Sequence, residues 1–337
     1  MKKSTSLLFL GSIMTLFSCS NTSESVSTET YPNVVATFAG KIDLNNLSNY
    51  ANQSKPAYIT KDNTSSNPIT DKGATLGRVL FYDKNLSSNN TISCATCHIQ
   101  ANAFGDDTDA SDGVNGTTTR HAMRLINSRF SNERKFFWDE RATTLEVQTS
   151  EPIKNHIEMG FSGTSGDGSI TTLITKLQSI GYYKELFKYV YGSEEITENK
   201  LQLALAQFIR SIQSFDSKYD AGRSTVQNDN QAFPNFTAQE NQGKNLFLTP
   251  PVFDASGVRT SGGFGCAGCH AAPEFDIDPN TKNNGIIGIL NGTGIDITNT
   301  RAPSLRDLVN INGIPNGPMM HTGSFATLQN VIGHYGI

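Results

Sequence analysis

The chain has 337 residues, 36% hydrophobic and 17% charged, enough to bury a sizeable core in one large domain or two. Its 29 glycines and 12 prolines follow no collagen period, and no apolar run past the N-terminus approaches the roughly 18 residues that span a bilayer, so fibrous and multi-span membrane classes are excluded. A formal charge of −4 argues against nucleic acid, which asks for a basic face, and hints at a cationic partner.

Residues 1–18 read as an export signal: Lys2 and Lys3, then the apolar stretches 7–10 and 13–17, too short to remain as an anchor. Leu16-Phe17-Ser18-Cys19 has the form of a bacterial lipobox with Cys19 as the lipidated residue. Ordinary secretion with a spare thiol is the other reading, and an oxidising compartment disfavours it. The expectation is a periplasmic protein held at the membrane only by lipid on Cys19. Residues 19–65 are assigned to the lipidated cysteine and a polar tether, almost free of large apolar side chains up to about residue 30.

The remaining cysteines form two C-x-x-C-H segments, Cys94-Ala95-Thr96-Cys97-His98 and Cys266-Ala267-Gly268-Cys269-His270. At this Cys and His content one such segment arises by chance in roughly one chain per thousand, and two far more rarely. The chemistry that needs this pattern is c-type haem attachment: two thiols form thioethers and the next imidazole becomes the proximal iron ligand. A redox or structural disulfide leaves the repeated His unexplained. A four-Cys zinc site would leave both His idle across a 172-residue gap.

A helix precedes each segment. Gly77-Arg78-Val79-Leu80-Phe81 and Gly243-Lys244-Asn245-Leu246-Phe247 share the pattern G-[K/R]-x-L-F, and Thr237 with Glu240 forms a capping box opening the second. Leu80/Phe81 and Leu246/Phe247 are expected against haem or in the core. Further helices are read at 169–191 and at 196–214, where Leu201, Leu205, Phe208, Ile209 and Ile212 keep one stripe. No strand ladder is evident, and 219–236 reads as a link. The expectation is a mainly α protein of two cytochrome c-like domains, 66–222 and 223–337, each carrying one covalent c-type haem. His334-Tyr335-Gly336-Ile337 reads as part of a continuing helix.

Beyond His98 and His270, the distal-ligand candidates are His121, His156, His321 and His334, with Met123, Met159, Met319 and Met320. Phe137-Trp138-Asp139-Glu140-Arg141-Ala142, Gln148 and Glu158-Met159, followed by Pro303-Ser304-Leu305-Arg306-Asp307 and Pro318-Met319-Met320-His321-Thr322-Gly323, resemble the bacterial dihaem cytochrome c peroxidases of the MauG-related superfamily. The resemblance runs from about Leu76 to Tyr335. It implies a peroxidatic haem on His98 in the N-terminal domain and an electron-transfer haem in the C-terminal domain, ligated by His270 and Met320, with Met319 the neighbouring competitor. It also implies Glu158 as the acid–base carboxylate, Gln148 as the distal amide and Trp138 as the bridge between haems, with Asp139 and Arg141 structural or propionate-binding. Glu140 stands where the family pattern has glycine. His121 falls where the family often has the Asn of an interdomain calcium site, which leaves it a distal ligand or an interdomain residue. Calcium is a further implied group, through carbonyls near Arg301 and Pro303.

The activity expected on this resemblance is reduction of hydrogen peroxide to water with electrons from an external donor such as a small cytochrome c, in a protein that commonly dimerises. Two alternatives stand beside it: a related dihaem oxidase acting on a protein or organic substrate, which a tyrosine in place of the axial Met would favour, and a pure dihaem electron carrier.

Overall fold

Helix starts follow local capping chemistry. The computed structural model describes residues 30–132, 135–277 and 281–336, so the leader and Cys19 lie outside the described residues. Helix α1 (Pro32–Phe38) has Pro at its first position, where a missing N–H costs nothing. Helix α2 (Asp71–Tyr82) begins at Thr70, whose hydroxyl accepts from Gly73 N at 3.0 Å. Helix α3 is the single turn Cys94–Cys97, opened by a Ser93/Thr96 capping box. Helix α4 (Leu145–Ser150) starts at Thr144.

Next come α5 (Ile170–Gln178), α6 (Gly181–Tyr191), α7 (Glu198–Ser211), α8 (Lys218–Arg223), α9 (Ala238–Leu248) and α10 (Leu328–Tyr335). The helix expected over 169–191 is two. Ser179 Oγ turns back onto the Lys176 carbonyl at 2.7 Å and Ile180 takes an extended conformation, which ends α5 and starts α6. At the end of α7, Ile212 is extended, and Asn127 pairs with both the N–H and the carbonyl of Ser214 (2.8 and 3.0 Å), drawing the chain out of the helix. The Thr237/Glu240 capping box opens α9 as expected.

Three two-stranded antiparallel ribbons also form: β1 (Asp112–Gly113) with β2 (Gly116–Thr117), β3 (Pro251–Phe253) with β4 (Arg259–Gly262), and β5 (His270–Ala271) with β6 (Asp276–Ile277). Two to four residues per strand leave no alternating pattern to read.

The core centres on α2 against α7, where Leu76, Leu80 and Phe81 meet Leu201, Leu205 and Phe208, all buried. The helices approach so closely that a Cβ on Gly77 would lie 2.0 Å from the Ala204 carbonyl oxygen. Arg210, buried in α7, is ion-paired with Glu146 of α4.

The stretch assigned to the tether is packed from α1 onward. Glu185 accepts from Asn33 N and Val34 N at 3.0 and 2.9 Å, satisfying orphan N–H groups at the start of α1. Val34 and Ile59 are buried, Tyr58 donates to Asp220 at 2.7 Å, and Lys61 pairs with Asp276 at 2.8 Å. These partners lie far off in sequence, which is why composition misreads the segment. The expected link at 219–236 starts inside α8, and Asp220 in that helix makes a buried ion pair with Arg306 at 2.6 Å. Both C-x-x-C-H segments belong to one compact unit, Pro32–Ile337.

Candidate functional site

Helix α3 delivers the first imidazole. His98 N donates to Cys94 O at 2.9 Å, and its ring Nδ1 lies 3.0 Å from the Phe104 carbonyl, which can only accept, so Nδ1 carries the proton and Nε2 keeps its lone pair for a ligand. Burial pushes the Cys94 thiol up to about 12 and Cys97 up to about 11, and lowers His98. Protonated thiols beside a neutral imidazole are the groups that haem attachment and ligation require.

Cys97 and His98 open into a cleft with about 1320 Å³ of empty space, where Glu158, Gln148, Trp138 and His121 also stand. Cys94 lines a smaller space behind it with His98, Gln148 and Glu158. The Glu158 backbone is clamped: its N–H and that of Ile157 donate to Asn155 Oδ1 at 3.2 and 2.8 Å, and its carbonyl accepts from Val114 N at 3.0 Å. Burial raises the Glu158 carboxyl, with Arg141 opposing. A carboxylate tuned upward in a cleft is suited to taking and returning a proton.

The second cleft, with about 910 Å³ of empty space, brings together Cys269, His270, Met319, Met320, Asn284 and Tyr335. Burial pushes His270 down to about 4, the Pro303 carbonyl opposing, and its Nδ1 is buried with no hydrogen bond of ordinary geometry. Met320 has φ +72°, a left-handed backbone that a non-glycine residue keeps only when its surroundings hold it there. Gly323 N donates to its carbonyl at 3.1 Å, and Asn284 Nδ2 donates to its sulfur at 3.3 Å and to Tyr335 Oη at 3.2 Å.

Trp138 and His121 line both clefts. Trp138 Nε1 donates to the His121 carbonyl at 2.8 Å, and the Trp138 carbonyl accepts from Thr300 N and Arg301 N at 2.9 and 3.0 Å. Its ring meets His321 edge-on, centroids 6.1 Å apart. His121 N donates to His321 O at 2.7 Å, its Nδ1 lies 2.9 Å from the Thr108 carbonyl, and burial lowers its pKa. Glu140 keeps the left-handed turn of a glycine position, with φ +56°, and its carboxylate accepts from Thr300 Oγ1 at 2.9 Å, which offsets the strain. Asp139 is held below the usual carboxylate range by Arg141 and Arg120, each at 2.8 Å and together outweighing burial.

His156 faces away, paired with Asp167 at 2.9 Å. Among the described residues no three of His, Cys, Asp and Glu converge as metal ligands. Sequence reading misses Asn284, Tyr335, Arg124 and the side chain of Arg301, which reach the clefts through contacts that no local motif announces.

A family model described as di-haem cytochrome c peroxidase matches residues 71–229. The methylamine utilization protein MauG of Methylophilus methylotrophus is 31% identical over 80% of this chain and 74% of its own length. The cytochrome c551 peroxidase of Nitrosomonas europaea is 28% identical over 77% of this chain and 71% of its own. A crystal structure of a MauG-like protein associated with microbial copper homeostasis superposes with a TM-score of 0.64 at 28% identity, covering 84% of this chain and 81% of that one.

Proposed function

Because the chain belongs to the dihaem cytochrome c peroxidase and MauG family, we propose that it is a periplasmic peroxidase in which the two clefts hold haem c and divide the work between them. The reaction is H2O2 + 2e⁻ + 2H⁺ → 2H2O, with electrons from an external protein such as a small cytochrome c. The observation that carries this reading is the unequal lining of the clefts: Glu158 and Gln148 stand with His98, whereas Met319 and Met320 stand with His270.

Cys94, Cys97 and His98 would hold a haem, which would supply the redox chemistry for peroxide. Glu158 takes the proton from the nearer peroxide oxygen and returns it to the departing one, while the Gln148 amide donates a hydrogen bond to the separating charge. Trp138, fixed by three hydrogen bonds between the clefts, is the bridge for electrons. Cys266, Cys269 and His270 would hold the second haem, and Met320, its sulfur located by Asn284, would be a further ligand to its iron. His121 serves the junction: its ring is engaged by Thr108 and its carbonyl by Trp138. The export leader and Cys19 support a lipid-anchored periplasmic location, and a homodimer completes the proposal.

The oxidase reading has one observation in its favour, since Tyr335 Oη shares Asn284 with the Met320 sulfur in the same cleft. Anaerobic titration tests the main proposal. One equivalent of peroxide should reoxidise both haems of the fully reduced holoprotein, and reduced haems that persist in excess peroxide would overturn it.

A further inference from the structure

Arg124 is a half-buried cation that has no counter-ion in contact among the described residues. Its Nε and Nη1 are buried and make no hydrogen bond. Burial lowers its pKa, with Asp307 acting the other way, yet the Asp307 carboxylate accepts from Ser214 Oγ at 3.0 Å. Nor is the side chain free to retreat: a Cβ on Gly105 would lie 2.8 Å from Arg124 Cγ, so its stem packs on the loop that follows His98. An uncompensated guanidinium inside a protein is strongly destabilising, and its planar fork is matched to carboxylate geometry.

Arg124 and Arg301 line both clefts. Arg301 Nη1 donates to Met123 Sδ at 3.0 Å and its guanidinium lies 5.0 Å from the Phe136 ring centroid. Among the described residues the cleft of His270 has Arg124, Lys282 and Arg301 in its wall and no Asp or Glu, while Asp139 and Glu158 line only the other cleft. Calcium, which the resemblance implies through carbonyls near Arg301 and Pro303, would lie beside guanidinium charge that repels it. We propose that Arg124, with Arg301 beside it, binds the carboxylate side chains of the haems, making the space between the clefts an anion site rather than a calcium site.

The proposal rests on haem in both clefts and is independent of what the haems catalyse. Its test is a redox titration of holoprotein variants, with covalent haem counted first. Arg124→Gln should keep two haems while the ferrous-to-ferric ratio at a fixed ambient potential falls on the order of tenfold for at least one, the effect of a unit charge roughly 10 Å away at an effective dielectric of about 20. Arg124→Lys, which keeps the charge, should recover most of that ratio. Calcium chloride or a chelator added to wild type should move neither the potentials nor the visible spectrum. Unchanged potentials in Arg124→Gln, equal shifts in the Gln and Lys variants, or a calcium-dependent shift in wild type would overturn the anion site. Fewer than two haems in wild type would overturn the dihaem reading as well. Should Arg124→Gln not fold, Arg301→Gln reads the same potentials, with a smaller drop expected and no drop counting against the proposal.

Discussion

Ahead of Cys94–His98, helix α2 buries Leu76, Leu80 and Phe81 completely; ahead of Cys266–His270, its counterpart α9 buries none of its residues and leaves Leu246 36% exposed. The same contrast shows at the matching glycines, since Gly77 is pressed against Ala204 of α7 whereas a Cβ on Gly243 would meet nothing within 4 Å. A repeated motif can set the attachment chemistry twice and still leave the surroundings to decide the task. The first unit is walled by helices, with the Glu158 carboxylate on a turn at its cleft; the second is built of loops and short ribbons around a methionine pair.

Glu158→Gln should break the first half of this contrast most severely. Peroxide consumption should fall on the order of a hundredfold or more with both haems retained, because an amide cannot relay the proton. Near-wild-type turnover would remove Glu158 from the mechanism. The same variant should be more stable at neutral pH. Burial raises the folded-state pKa, so ionisation of Glu158 in the unfolded chain costs stability as pH rises through and above the ordinary carboxylate range. Denaturant midpoints of the two proteins should therefore converge on acidification below that range.

In the second unit, Met320→Leu should lower the potential of one haem and slow donor-supported turnover by about tenfold or more, while single-turnover reaction of pre-reduced enzyme with peroxide stays intact. An unchanged potential would exclude Met320 as a ligand.

The packing contrast predicts opposite signs for one substitution. Gly77→Ala should destabilise by about 1–3 kcal/mol through overpacking against α7. Gly243→Ala should stabilise by roughly 0.5–1 kcal/mol, because alanine is the better helix former. Chemical denaturation with a probe in each unit measures both, and equal effects would erase the contrast.

The smallest effect belongs to His121→Ala. The backbone of His121, not its ring, holds Trp138 and meets His321, so the reaction of oxidised enzyme with peroxide should change by less than about tenfold, the scale of one neutral hydrogen bond. A requirement for prior reduction in wild type that disappears in the variant would make His121 an iron ligand.

Residues are legible in the sequence where bond geometry demands a spacing: thiol, thiol and imidazole within five positions, and a capping box whose two members stand three positions apart. Family patterns nominated Trp138, Gln148, Glu158 and Met320, and the fold gathers each beside the C-x-x-C-H segment expected for it, with Trp138 at both. Arg124 and Asn284 escaped, because an isolated Arg or Asn means nothing until distant segments converge on it. The segment from Pro32 to Lys61 was misread for a related reason: its polarity is satisfied by Glu185, Asp220 and Asp276, more than a hundred positions away. The break at Ser179 depends on one hydroxyl returning to its own helix, a choice that periodicity does not record.

The division of labour between the clefts is tested most directly by a redox-poised optical and electron-paramagnetic-resonance titration of the holoprotein. It should show two haems well separated in potential, the higher one low-spin with His/Met ligation and the lower one open to peroxide or added cyanide. Two haems of similar potential, or a closed sixth position on both irons in every redox state, would contradict it.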